Sequence, residues 1–223
     1  MGFVFGPEWF YGTAAVFEFI VMLITLFIAV YSFRIYFIVN DRKYLYFTLA
    51  FLFIAASFFI RAVTDYMAST HLIGRMPNVV AAVSTVATVP QLHSLGYLAH
   101  VFLMFAGFMI LVAIFLRIHS VMILSLLFIF IIVLTALSQS KYYAFHITLI
   151  VMLIYIVLHL LRNYVSRRKL SPFLVLYSMA CLLVAQIFFM FVFADKLYYV
   201  IGHIIQMAGF LLLLFSLMLV LRR

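Results

Sequence analysis

Long apolar runs alternate along this chain with short polar punctuation. A membrane span takes roughly 20 mostly apolar residues. By that measure the runs fall at about 11–39, 44–66, 96–118, 121–138, 142–164, 172–193 and 197–221. Polar side chains inside them are sparse: Glu18 in the first, Arg61 in the second, His100 in the third, His146 in the fifth, Gln186 in the sixth, and His203 and Gln206 in the seventh. The connections "NDRK", "RIHS" and "VSRRKLSP" are short and basic. The pattern predicts an all-α integral membrane protein of seven transmembrane helices, one domain over residues 1–223. The stretch 67–95 breaks the rhythm, and its Val, Thr and Ala content with two prolines predicts a packed outer loop, a hairpin or a lid.

The runs repeat. "FEFIVMLITLFIAVYSFR" (17–34) lies on "FHITLIVMLIYIVLHLLR" (145–162) without a gap, with Phe on Phe and Arg on Arg at the ends. The second and sixth runs share a late Phe-Phe, Phe58-Phe59 and Phe188-Phe189. The third and seventh share a motif, "AHVFLMFAGF" (99–108) and "GHIIQMAGF" (202–210), with a one-residue slip after the histidine. Repeat one, about 11–118, and repeat two, about 142–221, would then run the same way, joined by a connecting helix at about 121–138. This 3+1+3 parallel pseudo-repeat resembles, in architecture only, the transporter–opsin–receptor class of seven-helix proteins. Opsin-type retinal binding is excluded, because the seventh run has no lysine after Lys196.

Composition fixes the solvent. Of the 223 residues, 70% are hydrophobic and 9% charged, and the mean hydropathy of +1.34 belongs to a chain immersed in lipid. The net charge of +9 is a matter of placement. Arg34, Arg42, Lys43, Arg117, Arg162, Arg167, Arg168, Lys169, Arg222 and Arg223 all fall on one side of the runs. Positive-inside then predicts an outer N-terminus and an inner C-terminus, a multi-pass protein of the cell (plasma) membrane with anionic lipids at its inner face, and no nucleic-acid partner. "MGFVFGPEWFYG" lacks a basic region and a cleavage site, so an outer lead-in is expected. Cys181 is the lone cysteine, which leaves no intrachain disulfide.

Candidate chemistry sits in one layer. Glu18 aligns with His146 and His100 with His203, each four to seven residues from the outer end of an odd-numbered run. At 1.5 Å per residue that is a common depth of roughly 6–10 Å. Imidazole and carboxylate are transition-metal ligands, so His100, His203, His146 and Glu18 are candidate ligands for Cu, Zn or Fe, or for haem b. Met22, Met104 and Met207 each stand four residues after Glu18, His100 and His203, and offer a softer second layer with Gln206. The competing reading pairs Glu18 with Arg61 across two helices at matching depth. His159 follows His146 by thirteen residues, the spacing of dihaem membrane cytochromes, but the third and seventh runs do not repeat it.

No P-loop, nucleophile elbow, dinucleotide fingerprint, His-Glu-x-x-His or CxxC motif occurs. The sequence therefore predicts an outer-leaflet metal or haem centre for redox, electron transfer or metal handling, served by a quinol, a redox partner or membrane-complex subunits. The alternative is a transporter- or receptor-like bundle that binds a small ligand or protons where the repeats meet.

Overall fold

The computed structural model describes residues 7–73, 89–118, 120–138, 140–167 and 170–221. They form seven α-helices: α1 (Tyr11–Val39), α2 (Arg42–Ile73), α3 (Val89–Leu116), α4 (Val121–Leu137), α5 (Lys141–Arg167), α6 (Leu170–Met190) and α7 (Leu197–Leu221). Single 3-10 turns cover Glu8–Phe10 and Phe191–Phe193, and no strand occurs among the described residues.

Local chemistry sets the boundaries. Asn40 ends α1 in the left-handed conformation (φ 55°), its N–H on the Tyr36 carbonyl at 2.8 Å, a position that Asn tolerates. Asp41 accepts the Lys43 N–H at 3.0 Å and Asp195 the Leu197 N–H at 2.8 Å, satisfying free donors at the starts of α2 and α7. Pro90 and Pro172 fall in the first turns of α3 and α6, where a missing N–H costs little.

Six of the helices, all but α4, are long and apolar enough to cross a membrane. Six to seven apolar helices thus fit the expected membrane bundle, and α4 is the shortest of them. Its 17 residues reach about 25 Å, the short end of the range for a membrane span. The stretch read as loop is shorter than expected: α2 continues to Ile73 and α3 begins at Val89, and 74–88 lies outside the described residues.

The six long helices close a ring in the order α1, α2, α3, α5, α6, α7 and back to α1, while α4 lies outside it, lightly against α3 and α5. An apolar core including Ile28, Phe51, Ile54, Leu111, Leu149, Leu153, Met179 and Leu213 fills much of the ring's length. Two glycines bring backbones together. A Cβ on Gly107 of α3 would lie 2.8 Å from the Ala50 carbonyl of α2, and one on Gly209 of α7 would lie 3.1 Å from the Ser178 carbonyl of α6. A second apolar cluster joins Phe10, Ala14, Tyr142, Ala185, Phe189, Val192 and Tyr199 near the starts of α1, α5 and α7. Polar side chains collect between these two clusters.

Candidate functional site

One cavity, ≈ 40 Å³ in volume, is lined by side chains of all six ring helices. Glu18 comes from α1; Phe58 and Arg61 from α2; Tyr97, His100 and Met104 from α3. Tyr142, Phe145 and His146 come from α5; Gln186 and Phe189 from α6; Tyr199, His203 and Gln206 from α7. The volume holds about three waters. Glu18, His100, His146 and His203 lie early in their helices, while Arg61 and Gln186 lie late in theirs. So α1, α3, α5 and α7 run one way past the cavity, and α2 and α6 the other.

Arg61 is the electrostatic centre. It is buried, with Nε 3.3 Å from Glu18 Oε1 and 3.1 Å from Asp65 Oδ2. Its guanidinium carbon stands 5.4 Å from the Tyr97 ring centroid, within cation–π range. A guanidinium in an apolar bundle needs such compensation, because an unpaired ion there loses its hydration with nothing in return. The geometry expected of the competing reading, Glu18 facing Arg61, is thus present. Glu18 also faces His203, whose Nε2 is 3.7 Å from Oε1. Glu18 Oε2 and the Tyr97 hydroxyl are buried without a hydrogen-bond partner.

The three buried histidines share one habit: each spends Nδ1 on a protein acceptor. His203 Nδ1 donates to the Tyr199 carbonyl at 3.0 Å. His146 Nδ1 donates to Gln186 Oε1 at 2.7 Å. His100 Nδ1 lies 3.2 Å from the Ser57 carbonyl and 2.8 Å from Ser57 Oγ. A carbonyl only accepts, so His100 Nδ1 carries the proton. Ser57 Oγ in turn donates to the His100 carbonyl at 2.9 Å, the wrong polarity for an activated serine nucleophile. In each neutral ring Nε2 is therefore left as an acceptor.

Such Nδ1 anchoring is what metal-ligating imidazoles require, but the rings do not converge. Phe145 lies 5.5 Å from His100 and 4.9 Å from His146 by centroids, and Phe189 lies 5.4 Å from His146 and 5.0 Å from His203. A phenyl ring thus stands against each neighbouring pair. Among the described residues no three His, Cys, Asp or Glu side chains come together as a ligand set. The space is ≈ 40 Å³, whereas sites for organic ligands run to about 300–1,000 Å³.

Of the softer layer, Met104 and Gln206 line the cavity, whereas Met22 and Met207 are half-buried and pack against the apolar core. His159 is far down α5, its ring against Phe115 at 6.0 Å. His119 lies outside the described residues.

Sequence reasoning missed Asp65, Ser57 and the tyrosines. Spacing carried a signal for most of them. Asp65 is four residues after Arg61, and Tyr142 and Tyr199 are each four before a cavity histidine, hence on the same helix face. Tyr142 also has a structural duty. Its hydroxyl donates to the Phe189 carbonyl at 2.9 Å, one of the last carbonyls of α6. Tyr142→Phe is expected to cost about 1 kcal/mol, read as a lower unfolding temperature; an unchanged value would show that another donor serves Phe189.

Comparisons of the chain with protein-family models, with curated proteins and with solved structures find no match.

Proposed function

We propose that this chain is a transporter- or receptor-like membrane protein whose cavity binds a small polar ligand between two three-helix halves. The carrying observation is convergence: all six ring helices place side chains on one cavity, and its buried carboxylate keeps an unpaired oxygen. Ionisable groups at membrane depth are costly and mark ligand or ion sites, and substrate sites of repeat-built transporters lie where the halves meet.

The ring order supports the two halves, since α1-α2-α3 and α5-α6-α7 occupy equivalent arcs. The glycine contacts supply a register. Gly107 meets Ala50 and Ile54, and Gly209 meets Ser178 and Leu182. Ala50 and Ser178, Ile54 and Leu182, and Glu18 and His146 are all 128 positions apart. One offset thus relates both helix pairs, and it sets Phe58 opposite Gln186 in place of the Phe-Phe match. Arg34 and Arg162 stand late in α1 and α5, away from the cavity. Positive-inside then turns the cavity outward in a plasma-membrane protein, N-terminus out, with anionic lipids at the basic end.

A bound Cu, Zn or Fe ion serving redox or metal handling is the second reading, favoured by the Nδ1 anchoring of all three histidines. Separated rings and the adjacent Arg61 cation place it second.

The test is thermal unfolding of the purified protein against a panel of small amines, small carboxylates and divalent metal salts, with elemental analysis of the same preparation. A ligand at a hundred times its Kd stabilises by about 2.7 kcal/mol, so the matching compound should raise the transition by several degrees. Glu18→Gln and Gln206→Met should lose that shift, and the lipid-facing Phe27→Leu should keep it. No stabilising compound, or one whose effect survives both cavity variants, would rule out the chamber as a ligand site. A stoichiometric metal would promote the second reading.

A further inference from the structure

The acceptors and donors of the cavity name a ligand class. Because Nδ1 is the donor in all three histidines, the neutral form of His100, His146 and His203 offers Nε2 as an acceptor. Glu18 Oε2 is a fourth acceptor, 4% exposed as a residue and unpartnered. With His203 neutral, its Nε2 and Glu18 Oε1, 3.7 Å apart, are two acceptors turned toward each other. Such an arrangement calls for a donor between or beside them.

The surroundings restrict that donor. Tyr97, Tyr142, Tyr199, Phe58, Phe145 and Phe189 wall the space, and aromatic faces attract a desolvated cation without competing for its hydrogen bonds. Arg61 demonstrates the wall's chemistry, since its own cation sits over Tyr97. Asp65 holds Arg61 Nε at 3.1 Å, closer than Glu18 at 3.3 Å. The guanidinium is shared between two carboxylates, so Glu18 does not have it to itself. A space of ≈ 40 Å³ admits about three water-sized groups. Resting on the reading of the cavity as a ligand chamber, we propose that it takes a small cation with N–H donors, ammonium or a one- or two-carbon primary amine, anchored on Glu18 Oε2 with His203 Nε2 as the second acceptor.

Calorimetric titration of the full chain in nanodiscs, at fixed pH and ionic strength, tests this with ammonium, methylammonium, potassium, tetramethylammonium and zinc chlorides. Potassium matches ammonium in size and charge but has no donor. Ammonium or methylammonium should bind saturably and at least tenfold more tightly than potassium, and tetramethylammonium should not bind. Glu18→Gln and His203→Phe should each weaken binding at least tenfold. If Glu18→Gln does not fold, the ammonium-to-potassium ratio and His203→Phe decide. Equal binding of ammonium and potassium, binding of zinc alone, or proton uptake with no ammonium binding would each overturn the proposal. If these salts fail while another compound binds and depends on Glu18 and Gln206, this inference falls and the chamber stands.

Discussion

Replacing Arg61 with leucine should cost about 3–5 kcal/mol of stability, the usual consequence of removing one partner from a buried ion network. The side chain holds Glu18 and Asp65 together from the next helix turn, with Nε at 3.3 and 3.1 Å from their oxygens. Without it Glu18, already short of one hydrogen bond, would keep a buried charge with only His203 beside it. For a chain of this length each kcal/mol moves the unfolding temperature by about 2–4 °C, so a drop near 10 °C or more is expected. The double variant Arg61→Leu, Glu18→Gln should recover part of the loss, since it removes the Glu18 charge along with its partner. A single variant that unfolds within about 1 kcal/mol of the wild type would show that the network is solvated.

Gly107→Val is the second large effect. A Cβ there would stand 2.6 Å from Ile54 Cγ1 and 2.8 Å from the Ala50 carbonyl oxygen. The isoleucine can change rotamer, but the carbonyl belongs to the α2 backbone and moves only with the helix. Overpacking of this kind costs about 1–3 kcal/mol, and the upper end is expected. Gly209 gives a graded comparison. Its nearest neighbour is Leu182 Cδ2 at 2.9 Å, with the Ser178 carbonyl oxygen at 3.1 Å. Gly209→Ala should therefore be milder than Gly107→Ala when both are followed by thermal unfolding. Equal effects would mean that the two helix crossings are equally compliant.

Which parts of this were legible follows from what lipid does to a sequence. Span lengths were readable because apolar runs and the helix rise are enough to place them. The common depth of Glu18, His100, His146 and His203 was readable for the same reason. Facing was not. In a bundle bathed in lipid the outer surface is as apolar as the core, so a helix such as α3 has no stripe to reveal its inner side. That is why Met207 was grouped with the site when Gln206, one residue away, lines it. It is also why the walls went unnoticed: with 27 phenylalanines and 14 tyrosines in the chain, no individual ring stands out. Asp65 was legible by its spacing, four residues after Arg61 on the same helix face. In α4 the composition is that of a span, and the length of 17 residues is at the short end for one.

The apolar core beneath the cavity has an electrical meaning. A transmembrane voltage falls across whatever excludes water, and the larger such stretch holds Ile28, Phe51, Leu111, Leu149, Leu153 and Leu213. A cation that stopped at Glu18 would have crossed only the shallow part of the field. Full passage would exchange about 2.3 kcal/mol per charge for each 100 mV, but occupancy of a site this near one end would draw on a small share of it. On the orientation proposed above, binding there would report the concentration outside and be nearly deaf to membrane potential.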